Sequence, residues 1–150
     1  MGFGVTPQQE IRLYEYINGL VGLPFEYGKN DCPLLAAGAL DCMDGGARRA
    51  EMTGLWHDRA SAWKYIRRHG DIDKHLEDFG CREVAGGLAF AQVGDCLLMN
   101  RELAHDRRWH SVAVCLGRTA AVMTEELGLL KIRLDDLPTT HKVMRWPSQQ

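Results

Sequence analysis

Residues 34–43, Leu-Leu-Ala-Ala-Gly-Ala-Leu-Asp-Cys-Met, are apolar almost all the way round a helix. Such a helix is buried, and its small residues allow close packing. On its N-terminal side runs a polar turn, Tyr27-Gly28-Lys29-Asn30. Asn30 or Asp31 is placed to cap the helix, with Cys32 and Pro33 in its first turn. Gly45-Gly46 stops it. A thiol in that first turn sits at the positive end of the helix dipole, where the thiolate is favoured. The buried helix gives it a rigid platform. A histidine brought near it would make it a nucleophile.

Upstream, Thr6-Pro7-Gln8-Gln9 is a helix start with a capping box and a proline at the first helical position. Ile11, Tyr14, Ile17 and Val21 follow at helical spacing, which predicts a helix over about residues 7–20. Residues 47–80 are more polar and read as a helical insertion. Leu55, Ala60, Trp63 and Ile66 suggest a third helix, ending at His69-Gly70. Ile72, His75, Leu76 and Phe79 suggest a short fourth, ending at Gly80. Trp56 and Trp63 are read as core, and His57, His69 and His75 as surface rather than ligands.

From residue 81 the pattern turns to strands. Gly86-Gly87 and Gly94-Asp95 are turns, the second leading into the strand Cys96-Leu97-Leu98-Met99. Arg101 to Trp109 is a polar loop. His110 to Leu116 is a buried strand, apolar on both alternating faces. Gly117-Arg118 is a tight hairpin turn into a partner strand, Thr119 to Thr124. Leu129 to Leu134 and Val143 to Trp146 give two more. Helices followed by an antiparallel sheet define an α+β fold, and 150 residues suit one domain with a sizeable core.

The net charge of -2 argues against nucleic acid as the main partner. No run of about 18 apolar residues exists, so no membrane span is expected, and no signal peptide is evident. The five cysteines include no C-x-x-C pair, which argues against a disulfide framework or a zinc site. Cys42, Cys96 and Cys115 read as small buried hydrophobes, in a chain made in a reducing cytoplasm. No metal and no cofactor is expected. His105, Asp106 and His110 lack a second cluster of suitable spacing.

His110 is the candidate partner of Cys32. It stands at the mouth of a buried strand, oriented yet open to solvent, and imidazole titrates near pH 6.5. His105 sits in a polar loop with weaker positional control, and His141 reads as surface in a connection. With Gly117 and Arg118 as the two turn residues, Leu116 pairs with Thr119 and His110 lies opposite Glu125, with Met123 diagonal. A turn one residue longer would bring Thr124 to the diagonal. Glu125 or Thr124 is therefore the candidate third group that orients the imidazole.

Three segments, taken in order, resemble the motifs of NlpC-type, papain-like cysteine peptidases. They are Pro24-Phe25-x-Tyr27-Gly28-x-x-Asp31-Cys32-Pro33-Leu34-Leu35, Gly94-Asp95 with its apolar strand, and His110-Ser111-Val112-Ala113-Val114-Cys115-Leu116-Gly117. In particular, the chain resembles the small versions encoded in the tail modules of long-tailed bacteriophages. The resemblance implies a papain-like fold with Cys32 as nucleophile, His110 as general base and the Tyr27 hydroxyl near the oxyanion site. Asn30 and Asp31, beside the nucleophile, would meet substrate. It also implies cleavage of peptidoglycan stem peptides. The setting it implies is a virion, at a tail tip among hub and fibre proteins. The family's third polar residue falls near Met123, so Thr124, Glu125 or a main-chain carbonyl would take its role. A structural tail-tip component that uses the same fold to dock hub and fibre proteins is the alternative.

Overall fold

The computed structural model describes residues 5–99, 111–138 and 140–147. Among these residues the fold is α+β, with five helices preceding a six-stranded antiparallel sheet. The helices are α1 (Pro7–Leu20), α2 (Cys32–Asp44), α3 (Arg48–Met52), α4 (Arg59–His69) and α5 (Ile72–Asp78). The strands are β1 (Arg82–Glu83), β2 (Cys96–Met99), β3 (Ser111–Cys115), β4 (Thr119–Thr124), β5 (Gly128–Arg133) and β6 (Thr140–Arg145). The sheet order is β1-β6-β2-β3-β4-β5.

α1 begins as expected. The Thr6 hydroxyl accepts from the Gln9 N–H, and the Gln9 side chain accepts from the Thr6 N–H. Its packed face keeps Tyr14 and Ile17 of the expected stripe but not Ile11 or Val21. Leu13, Ile17 and Leu20 are buried, while Ile11 and Val21 are each more than half exposed. The stripe at 13, 17 and 20 faces α2 and the sheet, and Ile11 falls outside it.

α2 is covered on all sides, with Leu34 through Leu40 and Met43 buried. α1 and strands β3 to β5 lie against Leu35, Ala39 and Met43. Ala36 and Leu40 meet Ile72 and Leu76 of α5 together with Cys96, Leu98 and Val112 of the sheet. Leu34 and Ala37 meet Met52, Trp56 and Ala62. The segment 47–80 is thus built into the same core as α2, rather than appended to it. Gly38 lets α1 approach, since a Cβ there would stand 2.1 Å from the Tyr16 hydroxyl.

The far face of the sheet is also covered. Leu97, Met99, Ala113, Cys115, Ala120 and Val143 pack beneath Val84, Leu88 and Ala91 and beneath Leu134 and Leu137. This explains why β3 is apolar on both faces. Asp95, nearly fully buried before β2, accepts two hydrogen bonds from Arg145, at 2.9 and 2.8 Å. The last strand starts earlier than expected, at Thr140, so position 141 lies in β6 and not in a connection.

The β3–β4 hairpin has the two-residue turn. Ala113 pairs with Val122, Val114 with Ala121 and Cys115 with Ala120, and the Leu116 N–H donates to the Thr119 carbonyl at 2.8 Å. Gly117 holds the positive φ that such a turn needs at its first central position.

Candidate functional site

The turn before Cys32 is a small closed hairpin. Glu26 and Asn30 exchange backbone hydrogen bonds at 3.0 and 2.8 Å. Within it Gly28 has φ +76°, and a Cβ at that position would stand 1.7 Å from the Trp56 carbonyl oxygen. Glycine is thus required twice over, by conformation and by space. The Gly54 N–H donates to the Gly28 carbonyl at 2.8 Å, tying the turn to the loop before α4.

Asp31 caps α2, resolving the choice between Asn30 and Asp31. The residue is 2% exposed, and its carboxylate accepts three hydrogen bonds. These come from the Gly28 N–H at 2.8 Å, the Trp56 indole N–H at 2.7 Å and the Leu34 N–H at 3.2 Å. Burial raises the Asp31 carboxyl above the usual range, and the three donors pull it back. Asn30 is also buried. Its amide donates to the Pro24 carbonyl and its oxygen accepts from Arg49. Both side chains are held by protein groups, so they shape the turn that presents Cys32.

Cys32 is the first residue of α2, half-buried between two parts of the core. It lines a groove whose cavity measures about 80 Å³. One wall is the turn, with Phe25, Tyr27 and Pro33. The helical segment lines the groove with Trp56 and Tyr65 and with Ile72 and His75 of α5. The sheet contributes Ser111, Met123 and Glu125. The two tryptophans of this segment differ. Trp56 is buried and braces Asp31, whereas Trp63 is only half-buried.

Tyr27 packs edge-on against Phe25, with ring centroids 4.9 Å apart. Its hydroxyl donates to Glu125 Oε1 at 2.7 Å, across 98 residues of sequence. Thr124 takes another part. Its hydroxyl donates to the Gly128 carbonyl and accepts from the Leu127 N–H, closing the turn between β4 and β5. Of the two candidates for the third group, Glu125 faces the groove and Thr124 fastens its own turn. His110 and His105 lie outside the described residues, as does the polar loop expected over 101–109. Ser111, which follows His110 in the chain, lines the groove.

His75 is not a surface residue. It is half-buried in the groove wall, stacked on Tyr65 at 5.6 Å, and burial lowers its pKa below the ordinary imidazole value. The i, i+3, i+4 spacing of Ile72, His75 and Leu76 carries the signal, because it puts the imidazole beside the apolar stripe. The four cysteines other than Cys32 are free thiols that burial makes harder to ionise. Burial pushes Cys42 up to about 11 and Cys81 up to about 12, and raises Cys96 and Cys115 as well. Thiols so shifted are poor nucleophiles. Cys42 is half-buried rather than buried, with its thiol directed to the Arg12 carbonyl. Among the described residues no group of three His, Cys, Asp or Glu side chains is arranged to hold a metal ion. Nor, among them, is any helix long and apolar enough to cross a membrane.

Residues 6–143 match a family described as a domain of unknown function, DUF6950. The chain belongs to that family. The matched span of the DUF6950 domain runs from the Thr6 cap of α1 into β6 and takes in every groove residue named above. No curated protein and no solved structure matches the chain.

Proposed function

We propose that this DUF6950 domain is a papain-like cysteine peptidase of the NlpC type, acting on the stem peptides of bacterial peptidoglycan. The observation that carries the reading is Cys32 at the first position of α2, opening into a groove shared with Tyr27, Glu125 and Ser111. The dipole of α2 favours the thiolate there, and the groove gives an extended peptide somewhere to lie. The Cys32 thiolate attacks the scissile carbonyl and forms a thioester, and the amine leaves with a proton from His110. Water, deprotonated by His110, then hydrolyses the thioester and frees the thiolate. The N–H of Cys32, at the helix N-terminus, supports the oxyanion. The proposed setting is the tail tip of a long-tailed bacteriophage, with hub and fibre proteins as neighbours, the chain being made in the host cytoplasm.

The test is a digest of defined muropeptides by wild type and Cys32→Ala. Cleavage lost in Cys32→Ala supports the reading, and equal behaviour of the two sinks it. A second reading, a structural tail-tip module that retains the fold without hydrolysis, is favoured by Met123. This thioether lines the groove where a third polar group would stand. Phage carrying Cys32→Ala that infect normally, with a wild-type protein inert on muropeptides, would select that reading.

A further inference from the structure

The β4–β5 turn and the segment before Cys32 are joined at two points. Gly128 lies so close to the Leu23 carbonyl that a Cβ would stand 2.5 Å from its oxygen. Three residues earlier, Glu125 accepts the Tyr27 hydroxyl proton at 2.7 Å. Thr124 fixes the turn from within through its bonds to Gly128 and Leu127, at 2.9 and 3.1 Å. Phe25 braces the Tyr27 ring from the side. The phenol is therefore positioned by a turn that is itself rigid.

A tyrosine hydroxyl has one proton to donate. Here a carboxylate claims it, in a charge-assisted bond of the stronger kind. Whatever else meets that oxygen must donate to it. A role as an oxyanion donor would require the proton to be withdrawn from Glu125. We propose that Glu125 is a positioning residue that commits the Tyr27 proton, so that Tyr27 serves as a hydrogen-bond acceptor for an N–H group of the substrate, an amide or an ammonium. This rests on the peptidase reading for its substrate, but the assignment of donor and acceptor stands on the geometry.

The experiment uses the full chain and a purified peptidoglycan stem tetrapeptide. Hydrolysis is measured for wild type, Tyr27→Phe, Glu125→Ala, Glu125→Gln and the double variant Tyr27→Phe/Glu125→Ala. Loss of one substrate hydrogen bond raises KM about tenfold in Tyr27→Phe and leaves kcat within about twofold. Glu125→Ala gives a similar rise, the double variant is no worse than either single one, and Glu125→Gln, which keeps an acceptor oxygen, recovers most of the loss. An unchanged KM with kcat down about a hundredfold is the signature of an oxyanion donor and overturns the proposal. Tetrapeptide binding is also measured by calorimetry on Cys32→Ala and Cys32→Ala/Tyr27→Phe, where no turnover is needed. Weaker binding in the second supports the acceptor role even if the wild type proves inert and the peptidase reading falls. An equal Kd, or no binding by either, overturns the acceptor role.

Discussion

Gly28→Ala tests how the turn before Cys32 is held. Two costs add. A left-handed backbone costs an L-residue about 1–2 kcal/mol. The new Cβ would also stand 1.7 Å from the Trp56 carbonyl oxygen, a backbone atom that has no rotamer by which to escape. The Trp56 backbone must then move, and with it the indole N–H that donates to the buried Asp31 carboxylate at 2.7 Å. A hydrogen bond to a charged group contributes about 1.5–3 kcal/mol. The sum is about 2.5–5 kcal/mol, a large part of the roughly 5–15 kcal/mol that holds a typical domain together. Urea unfolding measures it, with equal m-values confirming that the same transition is compared. Gly22→Ala is the control. Gly22 has φ +86°, and a Cβ added there meets nothing within 4 Å. Only the backbone cost of about 1–2 kcal/mol then applies. Gly28→Asn separates the two costs further, since Asn tolerates the left-handed region but still carries a Cβ. A Gly28→Asn stability within about 0.5 kcal/mol of wild type, or a Gly28→Ala cost no greater than that of Gly22→Ala, would refute this account of the turn.

Four further outcomes are expected. Trp56→Phe keeps a ring against Tyr65 but removes the donor to Asp31, and should cost about 1.5–3 kcal/mol in the same denaturation assay. Arg145→Met leaves the Asp95 carboxylate buried without its bidentate partner and should cost about 3 kcal/mol, a change under about 1 kcal/mol being contrary to the pairing described. Iodoacetamide near neutral pH should modify Cys32 before Cys42, Cys81, Cys96 and Cys115, as mapped by peptide mass, because burial holds those four thiols protonated. The fourth concerns pH. Burial depresses the His75 pKa in the fold, so the unfolded chain takes up that proton first as the pH falls. The neutral ring's contribution is complete above the unfolded value of about 6.5 and is lost below it, so wild type should lose more stability between about pH 7 and 5 than His75→Phe does.

Local signals are legible in the chain. The Thr6 cap, the Asp31 cap and the β3–β4 turn each depend on residues within a few positions of one another, and the bonds that make them are local. α3 leaves no such mark, because its five residues are too short to show a period. The packed face of α1 departs from the expected stripe because Ile11 and Val21 fit a helical repeat that the core does not use. The site divides in the same way. Cys32 and its turn stand out in the sequence, but the braces on them do not. Trp56 reaches Asp31 across 25 residues, and Tyr27 reaches Glu125 across 98. Neither partnership has a sequence period, since the fold alone brings those groups together. His75 reads as surface when its polar neighbours are weighed alone, although its i, i+3, i+4 spacing with Ile72 and Leu76 marks the face that α5 turns to the groove.

The sheet order has a consequence for synthesis on the ribosome. β6 lies between β1 and β2, although it follows every other strand in the chain. β1 pairs with β6 alone among the described strands, and β2 pairs with β3 on one side and with β6 on the other. A nascent chain that has released everything up to β5 therefore presents an open edge along Cys96-Leu97-Leu98-Met99, an apolar run suited to pairing with another chain. Closure waits for residues 140–145 to leave the exit tunnel. Until then the helices and the β2–β5 meander can form, but the seam beside β2 stays unfilled, and that interval is when the chain is most open to aggregation.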